Sequence, residues 1–243
     1  MMQGLRYCAV VFAVLGLAAC NRARTDTVES YVGPTMPRPE RVLVSYFGVS
    51  GSQVQLDQGA SARFERAVGS QTQNELQSEA AQAVQVALAQ HMVDRLRAYG
   101  LPAEIAPAYA VPGVKLLVQG RIEAINQGNR TRRTVIGFGA GKSTVTADAQ
   151  LYYAVDNARP RFLTAFQGEA DSGRTPGAAE TLGAGAAAER LSTSAAMTGA
   201  AHAGSETRRA TDTAEADRLA EGLAGQVGRF AVSQGWIPAS AVH

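Results

Sequence analysis

The stretch Thr144-Val-Thr-Ala-Asp-Ala-Gln-Leu-Tyr-Tyr-Ala-Val155 constrains this chain more than any other. Val145, Ala147, Ala149, Leu151, Tyr153 and Val155 fall on one side, and Thr144, Thr146, Asp148 and Gln150 on the other. A period of two marks a β-strand with one dry face and one wet face. Val114 to Asn126 repeats the pattern, with Val114, Leu116, Val118, Ile122 and Ala124 inward, and Gln127-Gly128-Asn129 turns the chain after it. Two such strands need a layer to cover the dry face.

Amphipathic helices supply that layer. Thr72-Gln-Asn-Glu75 has the capping-box spacing that opens a helix. Leu76, Ala80, Val84, Leu88, Met92, Leu96 and Tyr99 then recur near the helical period, until Gly100 and Pro102 end it. From Thr213 a second helix presents Ala216, Leu219, Leu223, Val227 and Phe230, and Gly235, Trp236, Ile237 and Pro238 close it in the same way. Further strands are expected at Arg41–Val49 (apolar on both faces, hence central), Ala103–Ala106 and Arg161–Ala170. A helical turn is expected at Ala62–Val68 and a brief strand pairing at Thr131–Ile136. The fold class is α+β, a mostly antiparallel sheet with two main amphipathic helices on one face. Residues 172–211, rich in Ala, Gly, Ser and Thr, read equally as linker or as a small-residue helix.

Directly before the long strand stands Thr134-Val-Ile-Gly-Phe-Gly-Ala-Gly-Lys-Ser143, which resembles a phosphate-cradling loop. Such a loop needs Gly, four residues, then Gly-Lys-Ser/Thr, set between a strand and a helix. Counting back from Gly141 and Lys142, the first glycine falls on Ile136, and Gly137 is one position late. A strand pattern follows where a helix is required. No nucleotide is expected.

The N-terminus addresses the chain to a membrane. MMQGLRYCAVVFAVLGLAAC has a short charged start at Arg6, an apolar run from about Tyr7 to Leu17, then small residues. The run is too short to span a bilayer as a mature helix, so residues 1–19 read as a cleaved signal peptide. Leu17-Ala18-Ala19-Cys20 resembles the bacterial lipobox, which makes Cys20 the lipidated residue; Asn21, where an inner-membrane retention signal has Asp, favours the outer membrane facing the periplasm. Residues 20–40, ending in Pro34, Pro37 and Pro39, read as lipidated cysteine and flexible tether, and 41–243 as one domain. At about 3.3 Å per residue such a tether could lift the domain tens of ångströms off the lipid.

The rest is mostly exclusion. Cys8 leaves with the signal and Cys20 is consumed by lipid, so no disulfide, thiolate nucleophile or cysteine metal site is expected. A net charge of +2, or +1 without Arg6, does not point to nucleic acid. His91, His202 and His243 share no ligand spacing, so neither metal nor cofactor is expected, and His91 beside Met92 reads as a partly buried structural histidine. Gly48-Val-Ser50-Gly-Ser52 nearly spells a nucleophile elbow but lacks its last glycine. Glu123 and Asp148 could meet across strands, although Arg121 beside them favours a solvated pair. No active site is expected and no enzyme.

What remains is the segment between the two long strands, read as a hairpin whose glycine tip is flanked by Arg130, Arg132, Arg133 and Lys142. Gly137, Phe138, Gly139 and Gly141 form the tip. Three readings stay open: close packing within the domain, a nest of N–H groups and guanidinia for an anion, or a surface that docks into another subunit.

The stretch from Leu116 to Tyr153, with the lipobox upstream and Gly-Trp-Ile closing the last helix, resembles the bacterial lipoproteins grouped as domain of unknown function 4410. Gly128, Asn129, Arg133 and Gly137-Phe138-Gly139-Ala140-Gly141 carry the resemblance. It implies an envelope lipoprotein and no particular activity. The expected role is therefore a membrane-anchored, non-enzymatic interaction or assembly module with an envelope protein partner or a second copy. The alternative is a binder of an anionic envelope polymer or lipid headgroup through the basic segment.

Overall fold

The computed structural model describes residues 23–109, 111–136, 139–156, 158–173 and 200–242; nothing is described of the side chains of 134 and 200–212. In chain order the elements are β1 (Arg24–Glu29), β2 (Arg41–Val44), β3 (Val54–Gln55), α1 (Ala60–Val68), α2 (Gln73–Ala98), β4 (Ala103–Ile105), β5 (Val114–Asn126), α3 (Arg130–Val135), β6 (Thr144–Val155), β7 (Arg161–Asp171) and α4 (Ala200–Ser233). The signal peptide, Cys20, Gly137, Phe138 and residues 174–199 lie outside the described residues.

The seven strands make one open sheet in the order β1-β7-β6-β5-β2-β4, with β3 also paired to β5. Long antiparallel ladders join β5 to β6 and β6 to β7. Short parallel ladders add β2, β3 and β4. The sheet is thus mostly antiparallel, as the two alternating runs require. Leu116, Val118 and Ile122 of β5 and Val145, Ala147 and Leu151 of β6 are fully buried on one face. Both long helices cover that face: Val84, Leu88 and Met92 of α2 and Leu219, Leu223 and Val227 of α4 join the same core.

The helix ends follow from local chemistry. Thr72 caps α2 through the reciprocal box with Glu75. At the other end Gly100 takes φ +83°, and the Leu101 N–H donates to the Leu96 carbonyl at 3.0 Å. In α4, Gly235 takes φ +74° and the Trp236 N–H donates to the Ala231 carbonyl at 2.9 Å. Leu101 and Trp236 are thereby turned back into the core, which is the hydrophobic contact that accompanies a glycine cap. His91 lies 2.7 Å from Asp217 and Arg95 lies 3.1 Å from Glu221. Both indices rise together, so α2 and α4 run parallel.

Four expectations need correction. Residues 24–40 are not a tether. Arg24–Glu29 is the edge strand beside β7, and beyond it the Met36 N–H donates to Gln234, Trp236 to the Met36 carbonyl and Tyr153 to the Pro37 carbonyl. The central strand is shorter than expected, since β2 ends at Val44 and the chain rejoins β5 only at the Gly48–Arg121 bridge. Thr131–Ile136 does not pair as a strand; Arg130–Val135 is a helix, because the Asn129 side chain caps it by accepting from the Arg132 N–H at 2.9 Å. His91 is exposed rather than partly buried, its apolar neighbour Met92 taking the core side.

Candidate functional site

Residues 127–143 join β5 to β6, whose last register pair is Asn126 with Thr144. The segment is a folded loop around α3 rather than an extended hairpin arm. Two glycines make the fold possible. Gly128 has φ +70° and Gly141 φ +73°, a region from which side chains are sterically excluded. A Cβ on Gly128 would meet the Gly141 carbonyl at 2.4 Å, and one on Gly141 would meet the Asn129 carbonyl at 2.5 Å. The loop closes on its own backbone, with the Asn129 N–H donating to the Gly141 carbonyl at 2.9 Å. Gly139 also has a positive φ, +84°.

Asp57 holds this loop to the body. Its residue is 2 % exposed, and its carboxylate accepts from the Gly59 N–H at 2.7 Å and from the Arg130 N–H at 3.3 and 3.2 Å. The Arg130 guanidinium comes to 3.9 Å of the same carboxylate. The inner side rests on α4. Arg133 donates to the Ser143 hydroxyl at 3.1 Å, and Ser143 donates to Glu215 Oε1 at 2.7 Å. Glu215 is 1 % exposed; Arg218 also donates to Oε1, and Oε2 has no hydrogen-bond partner among the described residues. Lys142 turns outward to Asp171 at 2.7 Å. Partial burial pushes the Asp171 carboxyl up. The hydrogen bonds from Lys142 and the Gly173 N–H, with the Lys142 and Arg24 charges, outweigh it and hold the group below the usual range.

The structure therefore separates the sequence-derived candidates. Arg130 and Arg133 serve the interior of the loop, while Arg132 is exposed and Lys142 is shared with Asp171. The N–H groups of Gly128, Asn129, Arg130 and Arg132 are all donated within the domain. They are not free to cradle an anion. Lys142 leads directly into β6, so no helix opens behind it.

Ser50 and His91 are likewise apart. Ser50 shares its hydroxyl with Ser52 at 2.6 Å, in a turn where Gly51 faces Ser78 of α2. His91 lies further along α2, about 20 Å on at 1.5 Å per residue. Arg121 stands opposite Asp148 and binds Glu123 at 2.7 Å, so a guanidinium lies beside both carboxylates. Among the described residues no group of three or more His, Cys, Asp or Glu side chains could hold a metal ion.

Asp57 and Glu215 were missed from sequence. Asp57-Gln-Gly59 does spell a turn in which a carboxylate accepts the N–H two residues on, and that signal could have marked the first. Glu215 carries no such signal.

Residues 42–189 match the profile of a family described as a domain of unknown function (DUF4410). The chain belongs to this family. The DUF4410 segment takes in β2 to β7 and the whole 127–143 loop, whereas β1 and α4, which pack on each other, lie outside it. A comparison with curated proteins gives no match.

Proposed function

We propose that this protein is a lipoprotein of the outer membrane, anchored through Cys20 and facing the periplasm. Its domain acts without catalysis as an interaction and assembly module of the cell envelope. The observation that carries the reading is a face of the sheet that no helix among the described residues covers. Both long helices pack on the opposite side, leaving β5, β6 and β7 to present a broad surface. Gln119, Gln150 and Gln167 are exposed on it, and Leu117, Tyr152 and Phe162 are half-buried at one end. Tyr152 and Phe162 meet edge to face with ring centroids 5.6 Å apart. A flat surface of amides edged by aromatic rings suits a protein partner, whose contacts favour aromatic anchors within a polar rim. The separation of Ser50 from His91, and the engagement of Glu123 by Arg121, are consistent with a non-catalytic role. The alternative, an anionic polymer or headgroup held by the 127–143 loop, retains Arg132 and Lys142, while the N–H groups of Gly128, Asn129, Arg130 and Arg132 are already donated within the domain.

A photo-cross-linking residue at Gln150 or Gln167, in cells, tests the proposal. Adducts of defined mass are expected there and none at Gln90, which is exposed on α2. No adduct from the sheet face would overturn it.

A further inference from the structure

The lipid anchor and the sheet are closer together than a tether would allow. Arg24 to Glu29 are paired residue by residue with β7, and Gln226 of α4 donates to both the carbonyl and the hydroxyl of Thr25 at 3.0 Å. Ala23 is already packed, since a Cβ on Gly222 of α4 would stand 3.1 Å from its Cβ. Only Asn21 and Arg22 separate Cys20 from the first packed residue. Three Cα steps of 3.8 Å give a leash of about 11 Å. That is little more than the screening length of about 8 Å at physiological salt.

The ladder registers identify what sits at the end of this leash. Arg24 pairs with Glu169, Glu169 with Thr146, and Asp171 with Thr144 one step beyond. The start of β1, the end of β7 and the exit of the 127–143 loop therefore share one end of the sheet. Arg24 and Lys142 both act on the Asp171 carboxylate, which places the two cations at a single corner. Arg132 is exposed on α3 in the same loop, and Ile136 after it is 48 % exposed.

We propose that the acylated N-terminus seats this corner directly on the phospholipid headgroups, with Arg24 and Lys142 facing an anionic lipid surface. The proposal rests on Cys20 being the acylated residue. The occupant is lipid because the leash leaves no room for a folded protein between anchor and domain, and because the described residues of this corner and its loop set Arg24, Lys142 and Arg132 against Glu169 and Asp171. A basic residue held near an anionic surface raises its retention on the order of fivefold.

The test uses the full mature chain in vesicles of phosphatidylethanolamine and phosphatidylglycerol, with a fluorophore on Lys142→Cys, Arg132→Cys or Tyr109→Cys. Tyr109 is 75 % exposed and precedes the opposite end of β5, about 40 Å away at 3.3 Å per residue. Headgroup-nitroxide lipids are expected to quench the labels at 142 and 132 several-fold more than the label at 109. Flexible residues inserted between Asn21 and Arg22 should erase the difference. Equal quenching at all three positions, or stronger quenching at 109, overturns the seating. Mass spectrometry of Cys20 reads the anchor separately: an unmodified Cys20 sinks the lipoprotein reading, whereas an acylated chain with unquenched labels at 142 and 132 sinks the seating alone.

Discussion

Glu215 is the residue whose environment departs furthest from what its type prefers. Burial, the largest influence, pushes its carboxyl above the usual range, and the Ser143 hydrogen bond and the Arg218 and Arg133 charges only partly offset it. The folded state then binds a proton that the unfolded state has already released. Stability from this group is whole below the unfolded value of about 4.3 and is lost as pH rises through the folded value. Glu215→Gln should remove that slope. Urea midpoints of wild type should decline relative to the variant as pH rises above the unfolded value. Curves that stay parallel would show that Glu215 does not titrate on folding. The residue escaped the sequence reading because its meaning lies in Ser143, 72 positions away, just as that of Asp57 lies in Arg130, 73 positions away. A single carboxylate in a helix spells the same whether its partner is water or a buried loop.

Elements were legible where one face is dry. β5 and β6 occupy Val114–Asn126 and Thr144–Val155, the spans their alternation marks. Thr72 and Gly100 bracket α2 because capping is local chemistry. β1 was hidden for the opposite reason. As an edge strand it contributes little to the core: Asp26, Thr27, Val28 and Glu29 are exposed, and Thr25 and Thr27 meet α4 through the Gln226 amide, so Arg-Thr-Asp-Thr-Val-Glu has the polar composition of a linker. α3 was hidden because its helix depends on one Asn129 cap inside a glycine-rich run. The glycine run also reads as the tip of a hairpin, yet the positive φ at Gly139 and Gly141 shows a folded turn. Gly139→Val would therefore be strained in any setting. A more informative change is Gly222→Leu, where a Cβ would already stand 2.7 Å from Thr25 Cγ2. It should loosen β1 from α4 at a cost of about 1–3 kcal/mol, typical of overpacking. Proteolysis within residues 24–30 should accelerate with it. Unchanged protection of β1 in a folded variant would mean that the strand is held by β7 alone.

At the scale of the molecule, the α+β architecture followed from two facts available in the sequence: a one-sided sheet and two helices long enough to cover it. The docking of residues 24–40 onto the domain did not follow, because it turns on an edge strand that composition disguises. The expected consequence of the anchor is direct. Cys20→Ser should abolish incorporation of labelled fatty acid and release the protein into the soluble fraction. Label retained by that variant would refute both the lipobox reading and the assignment of the only cysteine left after signal cleavage.

The contact between Thr25 and Gln226 spans 201 positions, and that between Met36 and Trp236 spans 200. First strand and last helix therefore clasp each other around everything made in between. Closing a loop of that length costs on the order of 5 kcal/mol of chain entropy, which nothing repays until both ends are present. A chain delivered from its N-terminus, whether from a ribosome or through a translocation pore, can assemble the β5–β6–β7 meander early. Its first strand lacks the Gln226 contact until the final helix has emerged. Until then Thr25 has no amide to meet, so that contact joins an early-made segment of the chain to a late-made one.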